Sequence, residues 1–574
     1  MIVDHFGNRI CPPDSVDREV KLGMSTKKYL LASVALIAQN HGAWSADLPA
    51  KQSAPIEYVR VCAAYGAAFF YIPGTDTCLR ISGRARFEGG YMPSYSRQAG
   101  SGDTSGYQGR MRINLDARTQ TAYGTLRAFV RLDAGSRTGY AGLGLSGTQQ
   151  RIGQAYPALG VDQFGRAQQY MNVDKAFIQI SGLTAGRASS FFDFYAHDLE
   201  FLAYTGGSDV PSTNLLAYTA TFGGGLSATI SAEDPVFRRT PIFSPTNNPA
   251  AVAVNTNVAN FGQSVSPAPV LIGYNNGVPS QYSFIDAIQR SRLPDFVGVV
   301  RLDQAWGSAQ LSAAVHELNV GNISTGASAG GAGSPFITQH TGSSYGFGTQ
   351  AGIKLNLPMI AAGDTLYLQG AYAHGAQMYS GYCWFTGCYT QNTVTFLGQK
   401  FTPYLNDAVI SPFSGQLSLS DSFTVVASYL HYWSPTWRSA FFGSYGEQTF
   451  SGGARSAQGS GWYFYNSLGS ANAYGANAVG LPGTRFYSIS QSLRDTYQFL
   501  LGANLIWSPV KDLDIGIEGT YTQVGVKGGR VIDIDKDPTA YSAARIASIN
   551  AGGPVRTATT DGGFQLKARV QRDF

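Results

Sequence analysis

Charge is scarce in this 574-residue chain, with Asp, Glu, Lys and Arg together at 13%, about half the share of an ordinary soluble domain. The formal net charge is only +5 and no basic run occurs, which argues against nucleic acid as a partner. Long apolar runs are missing too. Apart from one N-terminal segment, nothing approaches the ~18 consecutive apolar residues that a spanning helix needs. The seven histidines are scattered and form neither a catalytic triad nor a metal spacing. Composition therefore points away from a helical membrane protein, an enzyme and any cofactor requirement. What the chain has in excess is glycine (69), tyrosine (33) and phenylalanine (32), a composition suited to many strands with aromatic rims.

The dominant pattern is a rhythm of sixteen segments, each about ten residues long, in which apolar and polar residues alternate. Leu79, Ile81, Gly83, Ala85 and Phe87 interleave with Arg80, Ser82, Arg84, Arg86 and Glu88. Met111, Ile113, Leu115 and Ala117 interleave with Arg110, Arg112, Asn114, Asp116 and Arg118. Leu126, Ala128, Val130 and Leu132 alternate with Arg127, Arg131 and Asp133, with Phe129 as the one apolar intruder. The same alternation closes the chain, where Phe564, Leu566, Ala568 and Val570 oppose Gln565, Lys567, Arg569 and Gln571. Period two places each set on one face of a strand. A greasy face backed by a charged one, closed on itself, is a transmembrane β-barrel with a wet interior.

The strands are expected at 77–88, 109–119, 125–134, 171–181, 185–194, 212–222, 226–234, 295–304, 308–318, 345–357, 364–375, 422–433, 437–447, 494–507, 513–524 and 563–574. The connections between them alternate strictly in length. Seven are short, such as Gly182-Leu183-Thr184, Gly223-Gly224-Gly225 and Ser434-Pro435-Thr436. Eight are long: 89–108, 135–170, 195–211, 235–294, 319–344, 376–421, 448–493 and 525–562. An antiparallel barrel trimmed on one rim and elaborated on the other gives this pattern, with short periplasmic turns and long outer loops. Soluble sandwiches and propellers do not segregate loop length in this way. Arg572 interrupts the apolar face of the last segment only near the rim, where an arginine costs about 0–1 kcal/mol.

Met24-Ser25-Thr26-Lys27-Lys28, the apolar stretch 29–38 and Ala43-Trp44-Ser45 read as a secretory signal with cleavage before Ala46. The chain then divides into 1–45 (an extension plus a removed signal), 46–76 (a periplasmic leader and disulfide hairpin) and the barrel, 77–574. Cys11 lies in the removed segment, and the other four cysteines form close pairs, Cys62 with Cys78 and Cys383 with Cys388. In an oxidising compartment two local disulfides are the natural reading, with free thiols or a metal site as the alternative. The dinucleotide-like run 142–147, the elbow-like run 326–330 and Asp533, Asp535 and Asp537 lack the surroundings that their motifs require.

Several segments carry a family resemblance. Arg60-Val61-Cys62, Tyr65-Gly66 and the run from Phe70-Tyr71-Ile72-Pro73 to Cys78-Leu79-Arg80 resemble the N-terminal signature of the alphaproteobacterial porin family. Leu115 to Thr121 with Tyr123 to Arg127, Ala176 to Gln179, Thr184 to Arg187, Ser190 to Phe194, His431 to Pro435 and Trp507-Ser508-Pro509 are similar to it as well. The resemblance implies an integral protein of the bacterial outer membrane, sixteen-stranded and trimeric. It would sit among outer-membrane lipids and lipopolysaccharide and pass ions and small hydrophilic solutes by diffusion. It also implies a third outer loop folded into the lumen, here 195–211. Asp198 and Glu200 on that loop, with Asp193 at its base, would face Arg84, Arg86, Arg110, Arg112, Arg127 and Arg131 across a constriction. Charges so arranged set up a transverse field and an ion preference. Two rival functions remain open at this level: a solute-selective channel with aromatic or basic groups along its path, and an adhesin or receptor working through its outer loops.

Overall fold

The computed structural model describes residues 60–91, 105–139, 160–161, 168–203, 205–209, 212–240, 242–243, 267–321, 343–382, 400, 403–467 and 478–574. The signal region 1–45 and the Cys383–Cys388 pair lie outside the described residues. Among the described residues no helix is long and apolar enough to cross a membrane. The crossing elements are strands.

Sixteen of them form a closed antiparallel barrel. The first half runs β1 (Cys78–Tyr91), β2 (Ser105–Thr121), β3 (Gly124–Gly139), β4 (Gln168–Ile180), β5 (Leu183–Ala188), β6 (Thr213–Gly223), β7 (Leu226–Glu233) and β8 (Asp295–Gln304). The second half runs β9 (Gly307–Leu318), β10 (Ser344–Asn356), β11 (Thr365–His374), β12 (Asp421–Ser434), β13 (Trp437–Thr449), β14 (Thr496–Val510), β15 (Leu513–Val526) and β16 (Thr560–Asp573). Each strand pairs with its sequence neighbour, and β16 returns to β1 with Arg84 opposite Asp573 and Tyr91 opposite Leu566. Gly83 and Phe574 complete the seam by exchanging both backbone hydrogen bonds. A Cβ at Gly83 would stand 2.5 Å from the Arg112 carbonyl and 2.4 Å from the Phe574 ring, so the closing position admits only glycine.

All sixteen expected segments are strands, and one needs correction. The segment placed at 185–194 stops at Ala188, and the chain then turns into the barrel. Its aromatic residues belong to no outward face: Phe192 is fully buried and stacks edge-on against Tyr379, with ring centroids 4.7 Å apart. The inward loop therefore spans 189–212, and Asp193 lies within it. The short turns are mostly two residues long. Ser181-Gly182 and Gly224-Gly225 both take positive φ at their two positions, the geometry that matches the twist of a tight hairpin.

Burial is inverted relative to a soluble protein. Ile230, Leu311 and Ile517 point outward and are 70%, 63% and 61% exposed, whereas Glu518, Lys567 and Gln310 point inward at 1%, 2% and 4%. Trp433, Trp437 and Trp507 mark the short-turn rim, the last two stacked at 5.9 Å, as interfacial aromatics do. Arg572 lies at the same rim and donates to the Lys511 carbonyl.

The long connections on the other rim have structure of their own. Residues Pro267–Asn275 and Val278–Gln289 form a hairpin, and the helices Ala454–Ser467 and Ala543–Asn550 lie in two later loops. Ile242, Val270, Leu318, Val320, Ala408 and Ile410 share one apolar cluster across three loops. Trp462, Phe486, Ile532, Ile546 and Ile549 share another across two. Asp407 ties the first group together, accepting hydrogen bonds from the backbone N–H groups of Gln377 and Thr240 and from the Gln289 side chain.

At the opposite rim a disulfide joins Cys62 to Cys78, 16 residues apart. It holds Phe69 and Tyr65 beneath the inward-facing guanidinium of Arg118, at 5.0 and 5.8 Å. Closing a loop of that size is worth about 3 kcal/mol in the chain-entropy account. Replacing both cysteines by serine should lower the thermal midpoint of the folded barrel without changing its strand content, as read by circular dichroism. A second expectation concerns the faces. Lipid-borne quenchers should reach labels at Leu115 and Leu126 but not at Arg112 and Arg127, and quenching at the arginines would reverse the assignment of inside and outside.

Candidate functional site

The inward loop 189–212 is fastened to the barrel mainly by its own backbone. The Phe192 carbonyl accepts from Gln350 and Ser312, each at 2.9 Å. The Tyr195 N–H donates to Gln369 at 2.9 Å, and the Tyr195 hydroxyl lies 3.0 Å from Ser428. Asn504 donates to the Leu199 carbonyl at 2.7 Å. Glu518 then receives the N–H groups of Phe201 and Leu202 at 2.6 and 2.7 Å. Lys567 and Arg569 both donate to the Phe201 carbonyl. The loop thus lies against the inner wall from β9 round to β16, and its two ends meet β4, where Lys175 donates to Ser189 and Ser212 donates to Asp174. A loop with so many exposed backbone groups can be buried only where the wall supplies partners. Those partners are Gln, Ser, Asn and Glu at inward positions of the second half of the barrel.

The three acids expected on this loop have different surroundings. Asp193 binds Arg238 at 2.9 Å, the guanidinium of a one-turn helix (Pro235–Arg238) after β7. Arg238 is itself completely buried between the rings of Tyr379 and Phe192, at 4.2 and 5.3 Å. Glu200 is buried and accepts from the Tyr195 hydroxyl and from Thr205, both on the loop itself. Asp198 is exposed. His197, a residue that sequence reasoning passed over, is buried beside them. Its Nδ1 meets Asp209 at 3.1 Å and its Nε2 meets the Thr205 carbonyl at 2.7 Å. Both partners only accept, so both ring nitrogens must donate and the ring is an imidazolium. Burial alone would depress its pKa, but the charge of Glu200 and the bonds to Asp209 and Thr205 outweigh that and raise it from 6.5 to about 9.

The six expected arginines all lie on the inward faces of β1, β2 and β3. Arg110 and Arg112 converge on Asp133 at 2.7 and 2.8 Å, and Arg118 and Arg127 on Asp116 at 2.8 and 2.9 Å. Arg131 reaches Asp174 at 3.5 Å and Arg84 holds Asp573. Arg86 meets Glu88, which also binds Lys567 and Arg569 from the last strand. Phe129, the apolar intruder of its strand, faces inward as well. Its ring stacks on Phe177 at 5.2 Å beneath the guanidiniums of Arg127 and Arg131, so it serves as a platform for cations. A cavity of about 320 Å³ brings Arg84, Arg86 and Arg569 together with Asp198 and Glu200. Lys567 and Arg569 were legible from the parity of the last strand. Arg238 was not, because its partners come from a distant loop.

Comparison with known proteins gives the family. Residues 47–549 match the model of a porin subfamily. The chain belongs to that subfamily. Porin Omp2b of Brucella suis biovar 1 (strain 1330) is 34% identical over 221 residues, 37% of this chain and 54% of the relative. The same figures hold for Porin Omp2b of Brucella abortus (strain 2308). The chain spans about half the length of the curated relatives it matches. Among solved structures, the outer membrane channel DcaP of Acinetobacter baumannii aligns with a TM-score of 0.49 and 12% identity, covering 88% of this chain and 99% of that one. As a porin with a closed sixteen-stranded barrel, the protein is an outer-membrane β-barrel.

The clamp on the loop has a testable pH dependence. Since the folded pKa of His197 is raised, its stabilising contribution is complete below about 6.5 and is lost as pH climbs through about 9. The loop should loosen between pH 8 and 10. Hydrogen exchange at 195–205 should rise across that interval in the native chain. In His197→Ala the exchange should be high at pH 7 already.

Proposed function

We propose that this porin is a passive diffusion channel for ions and small hydrophilic solutes. The observation that carries the reading is the pairing of a closed barrel, charged within and apolar without, with an inward loop fastened chiefly to the second half of the inner wall. Water fills a passage lined by arginines and carboxylates, because such groups keep their hydration or their partners at far lower cost than in hydrocarbon. The narrow part of the passage lies between loop 189–212 and the arginine face of β1–β3. Arg84, Arg86, Arg110, Arg112, Arg127 and Arg131 stand on one side of it and Asp198 on the other. Asp193 and Glu200 act as fasteners of the loop. The family resemblance supports a trimer, with each copy conducting on its own. The sequence of 24–45 supports export with removal of residues 1–45.

Purified protein in a planar bilayer should give ohmic single-channel steps, and blocked channels should close in three equal decrements. A single closing step would count against the trimer, and a silent bilayer against the channel. Glu518→Ala should broaden the open-state current. It leaves the Phe201 and Leu202 N–H groups without their acceptor, at about 1–3 kcal/mol for each buried unpaired donor.

A further inference from the structure

The charges described on the inner faces of β1–β4 do not balance, and their register shows that the imbalance is built in. Arg84 stands directly opposite Arg112, and Arg86 opposite Arg110, across β1 and β2. Arg118 faces Arg127 across β2 and β3, and Arg131 faces Lys175 across β3 and β4. Like charges in directly opposed positions destabilise a sheet, so four such pairs on one wall work against folding. The described carboxylates are still too few to cancel them: Asp573 meets Arg84, Asp174 reaches both Arg112 and Arg131, and the rest are shared more widely. Asp133 serves two arginines, Asp116 another two, and Glu88 serves Arg86, Arg569 and Lys567 together.

The acids of the loop do not restore the balance, because most are spent within the loop's own fastening. Asp193 is neutralised by Arg238 and Asp209 by the His197 imidazolium, while Glu200 is turned into hydrogen bonds with Tyr195 and Thr205. Among the described acids of the loop, Asp198 is the exposed one, and it shares the cavity of Arg84, Arg86 and Arg569 with the hydrogen-bonded Glu200. The potential of the passage is therefore positive, concentrated between low-dielectric walls.

Resting on the diffusion reading above, we propose that the channel favours anions, and that the arginine face of β1–β3 is a track for small oxyanions bearing carboxylate or phosphate groups. Arg110, Arg112 and Arg118 share one face of one strand. At about 3.4 Å per residue, Arg110 and Arg118 stand ~27 Å apart along it, a length comparable to the thickness of the bilayer core. Planar guanidiniums bind carboxylate and phosphate in the same bidentate way. An oxyanion can exchange one arginine for the next, because Asp133, Asp116, Asp174 and Glu88 are each shared between bases and can release one of them.

The test uses the full-length protein in a planar bilayer under a tenfold KCl gradient, with wild type compared to Arg86→Gln/Arg110→Gln. Each substitution leaves its carboxylate with another base, Glu88 with Lys567 and Arg569, and Asp133 with Arg112, so the barrel should assemble. Wild type should give a reversal potential of the sign that marks chloride as the more permeant ion. In the double variant the chloride-to-potassium permeability ratio should fall by roughly tenfold, the low end of focusing by a charged cleft. Millimolar succinate or inorganic phosphate should reduce the wild-type chloride current reversibly and the variant current much less. Block by phosphate alone would narrow the oxyanion class to phosphate, and block by succinate alone would narrow it to carboxylates. The Arg545→Gln substitution, in an outer-loop helix, should leave the ratio unchanged. A potassium-selective wild type, or a ratio indifferent to the double substitution, would overturn the inference while leaving the channel intact. A bilayer with no conductance would overturn the diffusion reading, and this inference with it.

Discussion

Everything in this molecule follows from the need to satisfy every backbone N–H and C=O where no water is available to do so. In hydrocarbon an unpaired strand edge costs several kcal/mol per group, so the sheet must close. The closure is made at one seam, where the last residue, Phe574, bonds Gly83 in both directions. Only glycine leaves room there for the incoming ring and for the neighbouring Arg112 carbonyl. Once the cylinder is shut, its two faces have opposite solvents, and the alternation of each strand sorts side chains between them.

The same requirement governs the inward loop. A chain segment inside the barrel exposes many backbone groups, and it stays only because the wall answers each one. Gln310, Gln350, Gln369, Asn504 and Glu518 are inward-facing and hydrogen-bond the loop backbone, while the side chains that leave it, such as Asp193 and Phe192, bury themselves under Arg238 and Tyr379. The two halves of the barrel are thereby given different tasks. The second half, from β9 to β16, holds the loop with side-chain amides and hydroxyls, with Glu518, and with Lys567 and Arg569 on the last strand. The first half carries arginines and faces water. Above the loop-holding half, the long connections join through shared apolar clusters and through Asp407 into a packed block.

Strand positions, loop alternation and the arginine faces could all be read from the chain before folding was considered. Each depends on a period of two, which is local and survives any tertiary arrangement. The one strand that was overdrawn, at 185–194, failed for a reason of the same kind. Its aromatic residues follow the pattern of a wall, yet Phe192 finds a better partner in Tyr379, nearly two hundred residues away, than in lipid. Phe129 shows the reverse case, an apparent break in a pattern that proves to be a ring packed beneath two guanidiniums. The fastening of His197 between Asp209 and Thr205 left no mark in spacing or composition.

What the sequence settled alone was the architecture: sixteen two-faced strands, short turns on one rim, long connections on the other, and basic groups on the inner side. Tertiary structure alone decided the charge balance of the passage. Which acid neutralises which base depends on strand register and on where the loop backbone lands, and both bring together residues hundreds of positions apart. Alternation fixes the side of the wall on which a charge stands. Only the closed cylinder fixes what that charge meets.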